Sequence, residues 1–394
     1  MPAPHPDVAA LLARGWRPRP FRTFVLKAHS RCDLACDYCY VYSGPDRSWR
    51  DRPRMMSLAV AARAAARIAE HAARHRLPSV HVVLHGGEPL LCPPAHLAGL
   101  VAEIRRAVAP PTRVAVSAQT NGVRLDETYL RLFAELRVAV GVSLDGTARV
   151  HDRHRRTAGG RGSHASVARA LALLGREPYR ALFSGLLCTV DVRADPIEVY
   201  EELLRHSPPA VDFLLPHANR SAPPPGWSVD GTPYADWLIA IFDRWYATTP
   251  RRVSVRLFDE IIGLLLGGRS RMEGVGLAPV GVVVVETDGG LEQTDALKSA
   301  HDGAAHTGLH VDRDPFDRAL LLPGVAARQI GAAALAAECR ACPVVRVCGG
   351  GHYAHRYEEG GGFANPSVYC RDLYRLIRHI RARVARDLPA ARVA

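Results

Sequence analysis

Seven of the nine cysteines in this chain fall into two groups: Cys32, Cys36 and Cys39 near one end, and Cys339, Cys342, Cys348 and Cys370 near the other. Where thiols stay reduced, such clustering points to metal or redox chemistry rather than to disulfides. The first group, in SRCDLACDYCYVY, has the spacing C-x3-C-x2-C and directly follows an apolar, β-branched run, so it belongs on a loop at a strand end. Three thiolates there can converge on one inorganic cluster. A zinc site closes with four ligands, whereas three cysteines on a [4Fe-4S] cube leave one iron open for an outside ligand. A zinc knuckle that borrows a distant fourth ligand is the alternative. The second group supplies four thiolates with a C-x2-C element, which would close either an iron-sulfur cluster or a zinc site. Cys188 lies inside the apolar run 186–190 and reads as a core thiol, and Cys92 attracts no assignment.

The elements that must position these groups are legible in the apolar pattern. With 394 residues, 48% hydrophobic and 23% charged, the chain is globular, long enough for two or three domains, and not disordered over most of its length. No apolar run reaches the roughly 18 to 20 residues of a membrane span, and MPAPHPDVAALLARGW is not built like a secretory signal; a cytoplasmic protein is expected. Lys and Arg outnumber Asp and Glu by 51 to 39. Because the arginines are scattered along helices, this excess reads first as the compositional bias of a GC-rich genome, ahead of a nucleic-acid or acidic-peptide partner. Short apolar runs at 23–28, 80–84, 114–118, 139–144, 181–190 and 211–215 alternate with helix-spaced stretches, the pattern of a parallel α/β sheet. Six βα units are too few to close an eight-stranded barrel, so a partial (β/α)6 barrel is expected, with functional loops after the strand C-termini. SAPPPGW at 221–227 breaks the pattern, and two helices follow it. A hairpin is expected at 282–294 around Asp288-Gly289-Gly290, then a Cys- and Gly-rich segment, then an amphipathic helix over 372–384. The expected division is an extension at 1–20, the barrel at 21–220, connecting helices at 221–280, and hairpin plus cysteine-rich domain at 281–394. About 20 residues before the first strand are too few to fold as a separate leader-peptide-binding domain.

The cysteine loop resembles that of the radical S-adenosylmethionine (SAM) superfamily, and supporting motifs lie at strand ends. Gly86-Gly87-Glu88-Pro89 matches the family's GGEP, Gln119-Thr120-Asn121-Gly122 ends the third strand, and Ser143-Leu144-Asp145-Gly146 ends the fourth. The resemblance implies a SAM-binding [4Fe-4S] cluster on Cys32, Cys36 and Cys39. It also implies SAM contacts from Tyr38, Gly86, Gly87, Glu88, Pro89, Asn121, Ser143, Asp145 and Arg155, the last a guanidinium suited to a carboxylate. Without the resemblance, Arg155 in HDRHRR would read as a solvated helix start.

The second group resembles a C-terminal SPASM domain, whose full pattern has seven cysteines and two auxiliary clusters. Two of those cysteines are replaced here, by Thr294 and His352, and both belong to the cluster nearer the active site. The resemblance therefore implies a small SPASM-like domain with one auxiliary [4Fe-4S] cluster on Cys339, Cys342, Cys348 and Cys370; a structural zinc site stays open. His352 reads as a packed or hydrogen-bonded histidine. CDYCYVY, LHGGEPLL, EQTDALKSA, CGGGHYAHRY and FANPSVYC are similar to FxsB-like radical SAM/SPASM proteins along nearly the whole chain. That likeness implies a maturase joining an aromatic ring to a β-carbon of a ribosomal precursor peptide, a three-residue cyclophane. An external one-electron donor such as ferredoxin or flavodoxin is implied, and neither membrane nor nucleic acid is an expected partner. Asp295 is the implied proton acceptor, since sulfatase maturases carry a catalytic Asp at that position; an exposed hairpin-end Asp is the bland reading. Other peptide chemistry on the same scaffold (thioether formation, epimerisation, sulfatase maturation), RNA modification and a zinc-stabilised binding protein are the competing functions.

Overall fold

The computed structural model describes residues 6–387. The strands are β1 (Thr23–His29), β2 (Ser79–Gly86), β3 (Arg113–Thr120), β4 (Val138–Ser143), β5 (Phe183–Thr189), β6 (Ala210–Leu214), β7 (Ser254–Val255), β8 (Val282–Val285), β9 (Gly290–Glu292) and β10 (His306–His310). They form one open sheet in the order β10-β9-β8-β1-β2-β3-β4-β5-β6-β7. From β8 through β7 every pairing is parallel, and β8, β9 and β10 pair antiparallel. Parallel strands are covered on both faces, which is why β1, β4 and β8 read as nearly continuous apolar runs. Helices cover the outer face. The helix Leu58–Arg74 starts at a Ser57 cap and buries an Ala-rich stripe with Ile68.

All six expected strands form, with ends shifted by a few residues. At β5, Arg180–Leu182 is a 3-10 turn and the strand starts two residues late, at Phe183. The hairpin needs a larger correction. It was expected to belong with the cysteine-rich end, yet β8 pairs in parallel with β1, Thr23 beside Val282 and Leu26 beside Val285, so the sheet runs unbroken across the boundary drawn at 281. VVVV is the reason: Val283, Val284 and Val285 are buried in succession, as only a strand covered on both faces allows. The connecting segment likewise adds β7 to the far edge. Its helices Pro233–Tyr246 and Arg256–Leu265 bury Trp237, Trp245 and Phe258 against the sheet.

The closing helix, Cys370–Asp387, packs against Pro233–Tyr246. The Asp372 carboxylate accepts the Ala235 N–H at 2.9 Å, and Tyr369 meets Tyr234 edge-on. This contact fixes Cys370, at the helix start, relative to the barrel. Residues 1–5 of the expected extension and 388–394 of the C-terminal segment lie outside the described residues. No described helix is long and apolar enough to cross a membrane.

Candidate active site and second cysteine site

The loop after β1 is tied down by backbone contacts before any side chain is considered. The N–H of Gly87 donates to His29 O and that of Glu88 to Arg31 O, 2.8 and 2.9 Å, which joins the loop to the end of β2. The approach is so close that a Cβ on Gly87 would stand 1.9 Å from the Tyr42 hydroxyl and 2.4 Å from Arg31 O. Only glycine fits there. Cys32, Cys36 and Cys39 then line one cavity of about 190 Å³ at the C-terminal edge of the sheet, together with Tyr38, Gly86, Gly87, Asn121, Ser143 and Arg155. Asn121 donates from Nδ2 to Asp33 at 2.8 Å, which holds its amide beside Cys32.

Three residues expected to contact a ligand stand behind this wall instead. Glu88 is fully buried, its carboxylate accepting from Thr120 Oγ1 and the N–H groups of Asn121 and Leu90 at 2.7 to 2.9 Å. It clamps the end of β3 to the loop after β2. Burial pushes its carboxyl up to about 7, against the pull of those hydrogen bonds. Pro89 opens a buried 3-10 turn. Asp145 accepts from Arg155 Nε at 2.9 Å, from the Thr189 N–H at 2.9 Å and from the Tyr38 hydroxyl. Burial would raise its carboxyl, but Arg155 and His151 overcome this and hold it below the usual range. Asp145 thus aims Arg155, whose guanidinium lies 5.6 Å over the Tyr38 ring. All three placements share one physical reason: a motif locates a loop but not which of its side chains turn toward the cavity.

Asp295 is neither an exposed hairpin-end residue nor part of the cavity wall. It pairs with Lys27 at 2.6 Å and stands 3.6 Å from Lys298, both buried. Burial opposes its charge, yet the two lysines keep its carboxyl below the ordinary value. A carboxylate so held is a weak proton acceptor. Sequence reasoning missed His85 and His217, which do line the cavity. His85 Nδ1 lies 3.1 Å from Gly86 O, an atom that only accepts, so the ring carries its proton on Nδ1 and leaves Nε2 as a base. Burial, then Lys27, pushes its pKa down to about 4. Both histidines follow or end strands, the signal that would have found them.

Cys339, Cys342, Cys348 and Cys370 line a second, smaller cavity of about 90 Å³ with Val344, Pro366 and Tyr374. Burial pushes the Cys348 thiol up to about 12 and that of Cys36 to about 11. Such thiols are ionised by a bound cationic centre, not by their protein surroundings. The donor sets fit the groups that the motifs imply. Three cysteines open onto a space large enough for a further ligand, and four enclose a space half that size. Cys92 and Cys188 are wholly buried in the core.

Thr294 and His352 are joined through one ion pair between a buried arginine and a half-buried glutamate. Arg328 binds Glu273 through two bonds of 2.7 and 2.6 Å and donates to Thr294 Oγ1 at 3.0 Å, while Glu273 stands 3.8 Å from His352 Nε2. Arg328, with its side chain 2% exposed, fills the space between the two positions.

The radical SAM superfamily model matches residues 27–193. A cysteine-type anaerobic sulfatase-maturating enzyme of Clostridium perfringens is 26% identical over 282 residues, covering 70% of this chain and 74% of that one. Among solved structures, native anSMEcpe with bound AdoMet has a TM-score of 0.78 at 22% identity, covering 93% of this chain and 100% of that chain. Streptococcus suis SuiB bound to precursor peptide SuiA has a TM-score of 0.58 at 11% identity, covering 92% and 78%. These two likenesses establish the fold.

Proposed function

We propose that this chain, a radical SAM enzyme through its matched segment 27–193, closes a carbon–carbon crosslink between an aromatic ring and a nearby side-chain β-carbon in a ribosomally made peptide. Cys32, Cys36 and Cys39 would hold the SAM-binding [4Fe-4S] cluster, and Cys339, Cys342, Cys348 and Cys370 one auxiliary [4Fe-4S] cluster. When bound, SAM and its cluster supply hydrogen-atom abstraction from an unactivated C–H bond. The chain's own residues do the rest. Arg155, aimed by Asp145, presents two N–H donors to a carboxylate. Asn121 and the bare backbone of Gly86 and Gly87 form the opposite wall, and the cavity excludes water from a reactive carbon. Bonding at a ring carbon must release one proton and one electron. His85, on the cavity wall, is placed to take the proton, although burial makes its ring a weak base, whereas Asp295 stands outside that wall; the auxiliary site is the outlet for the electron.

The observation that carries this reading is the Arg328–Glu273 pair joining Thr294 to His352. It supports one auxiliary cluster rather than two, and so a chemistry other than that of the matched maturases. Sulfatase-type maturation is the second reading, favoured by the 26% identity to such an enzyme. The anaerobically reconstituted enzyme, given SAM, a reductant and a precursor peptide that it accepts, is expected to form 5′-deoxyadenosine and a product about 2 Da lighter. A ring-deuterated peptide must lose one deuteron and keep its thiols free to alkylate. Full deuterium retention in a crosslinked product rejects ring bonding, and an aldehyde that captures a hydrazide probe selects the second reading.

A further inference from the structure

We propose that His217, His352 and His355 form a binding site for one divalent transition-metal ion of the zinc class, at the edge of the cavity and separate from both cysteine groups. His217 comes from the loop after β6, and His352 and His355 from the turn around Tyr353–Arg356. One ring nitrogen from each lies within 4.8 Å of the others. His217 Nδ1 and His355 Nε2 are 3.3 Å apart. Two imidazole nitrogens at about 2.0 to 2.1 Å from a tetrahedral zinc are separated by about 3.3 to 3.4 Å, so this pair already has the spacing of ligands. The three rings do not stack. Their centroids are 5.1 to 5.4 Å apart, with planes at 43 to 61°, as around a shared point.

The surroundings suit neutral donors and a cation. Burial, then the neighbouring His352, lowers the His217 pKa to about 3, and His355 is lowered by the same causes, so both rings keep their lone pairs. His352 Nδ1 accepts the Ala354 N–H at 3.3 Å and its Nε2 stands 3.8 Å from Glu273, a carboxylate already paired with Arg328, so binding a metal must turn this ring off the Ala354 N–H. In two other groups of potential ligands the carboxylates that would bind a cation are already paired with lysines or arginines. Glu286, Glu292 and Asp295 are neutralised by Lys27, Lys298 and Arg52, and Asp317, beside His71 and His75, is paired with Arg74. Three protein ligands leave a fourth position, and because His217 lines the cavity, that position is reachable by water or by a carbonyl or carboxylate of a bound peptide. Zinc there would anchor or polarise the substrate without taking part in electron transfer.

The inference does not depend on which bond the enzyme makes. Its test uses holoenzyme with both clusters built, equilibrated with zinc sulfate and desalted. One zinc per chain is expected above the cluster iron, with a zinc-edge X-ray absorption spectrum showing only nitrogen or oxygen neighbours and imidazole outer-shell scattering. His352→Asn and His355→Gln are each expected to cut retained zinc at least tenfold at unchanged iron content. If either turn variant also loses iron, His217→Gln, on the barrel side, decides the matter alone. The proposal is overturned if wild-type holoenzyme retains no zinc, if sulfur scattering places the zinc on cysteines, or if the variants retain zinc like wild type. Iron content and 5′-deoxyadenosine formation report separately on the radical SAM assignment.

Discussion

Asp145 spends both carboxylate oxygens on protein groups, so its value to a ligand lies in where it holds Arg155 and Tyr38. Asp145→Asn keeps the volume and removes the charge, and leaves a buried guanidinium without its counter-ion. The expected result is a rise of about 10- to 100-fold in the SAM concentration needed for half-maximal 5′-deoxyadenosine formation, the worth of one charge-assisted contact. Cluster iron should not change, because no cluster cysteine touches this carboxylate; loss of iron would mean that Asp145 shapes the cysteine loop instead. Charge decides roles elsewhere in the same way. Asp295 and His85 are neighbours, but two lysines hold the first as an anion while burial keeps the second as a neutral base. Spacing alone gave no means of telling them apart.

The hairpin is tied to the barrel by Arg52 and Lys27 as well as by the β1–β8 ladder, and Lys298 braces it from within. Lys298 Nζ reaches Glu286 at 2.7 Å and Glu292 at 2.8 Å, and Arg52 binds Glu292 at 2.9 Å and Asp288 at 2.6 Å. Removing one partner from such a network strands the others. Lys298→Met, with a side chain only 2% exposed in the wild type, is therefore expected to cost about 3 to 5 kcal/mol, read as a lowered urea midpoint. An unchanged midpoint would mean that water or a relaxed hairpin solvates Glu286 and Glu292. The runs of β1 and β4 were readable as nearly continuous apolar strands, and those of β2 and β3 as alternating ones, one face buried and the other carrying His81, His85, Ser117 and Gln119. The same logic applied to Val282–Val285 would have moved the hairpin into the sheet. Two-residue β7 and Gly-interrupted β10 carry no such signal. At the site, the cysteines, glycines and Arg155 were legible because their chemistry needs those residue types on loops. Glu88 and Asp145 lie on the loops the motifs mark, but that their side chains turn away from the cavity was not legible in the sequence. The meeting of His217 with His352 and His355 is a tertiary fact, separated by more than a hundred residues of chain.

Burial of neutral histidines gives the whole molecule a pH signature. Desolvation lowers His85 and His151 to about 4 and His217 to about 3 from 6.5, while it raises Glu88 to about 7 from 4.5. Between pH 4 and 6.5 the unfolded chain protonates the three histidines and the folded chain does not, so stability from this source is intact above pH 6.5 and falls as pH drops. Glu88 acts in the opposite sense, since the folded chain holds its proton up to about pH 7 and the unfolded chain releases it from 4.5. At pH 5.5 each histidine contributes about 0.9 proton taken up on unfolding and Glu88 about 0.9 released, a net uptake of about two. Stability should therefore decline steadily from pH 7 to pH 5. Cluster loss in acid would produce a decline too, so the sign needs a variant that isolates the protons. His151 serves, because it lies away from the cysteines, its Nδ1 accepting the Asp145 N–H and its Nε2 facing Ser163 Oγ at 2.9 Å. His151→Gln cannot titrate, and its urea unfolding free energy should have a pH slope near 5.5 smaller than wild type by about 0.9 proton, whatever its absolute stability. Equal slopes in the two proteins would show that His151 is charged in the folded state, and that acid sensitivity comes from the clusters rather than from the buried imidazoles.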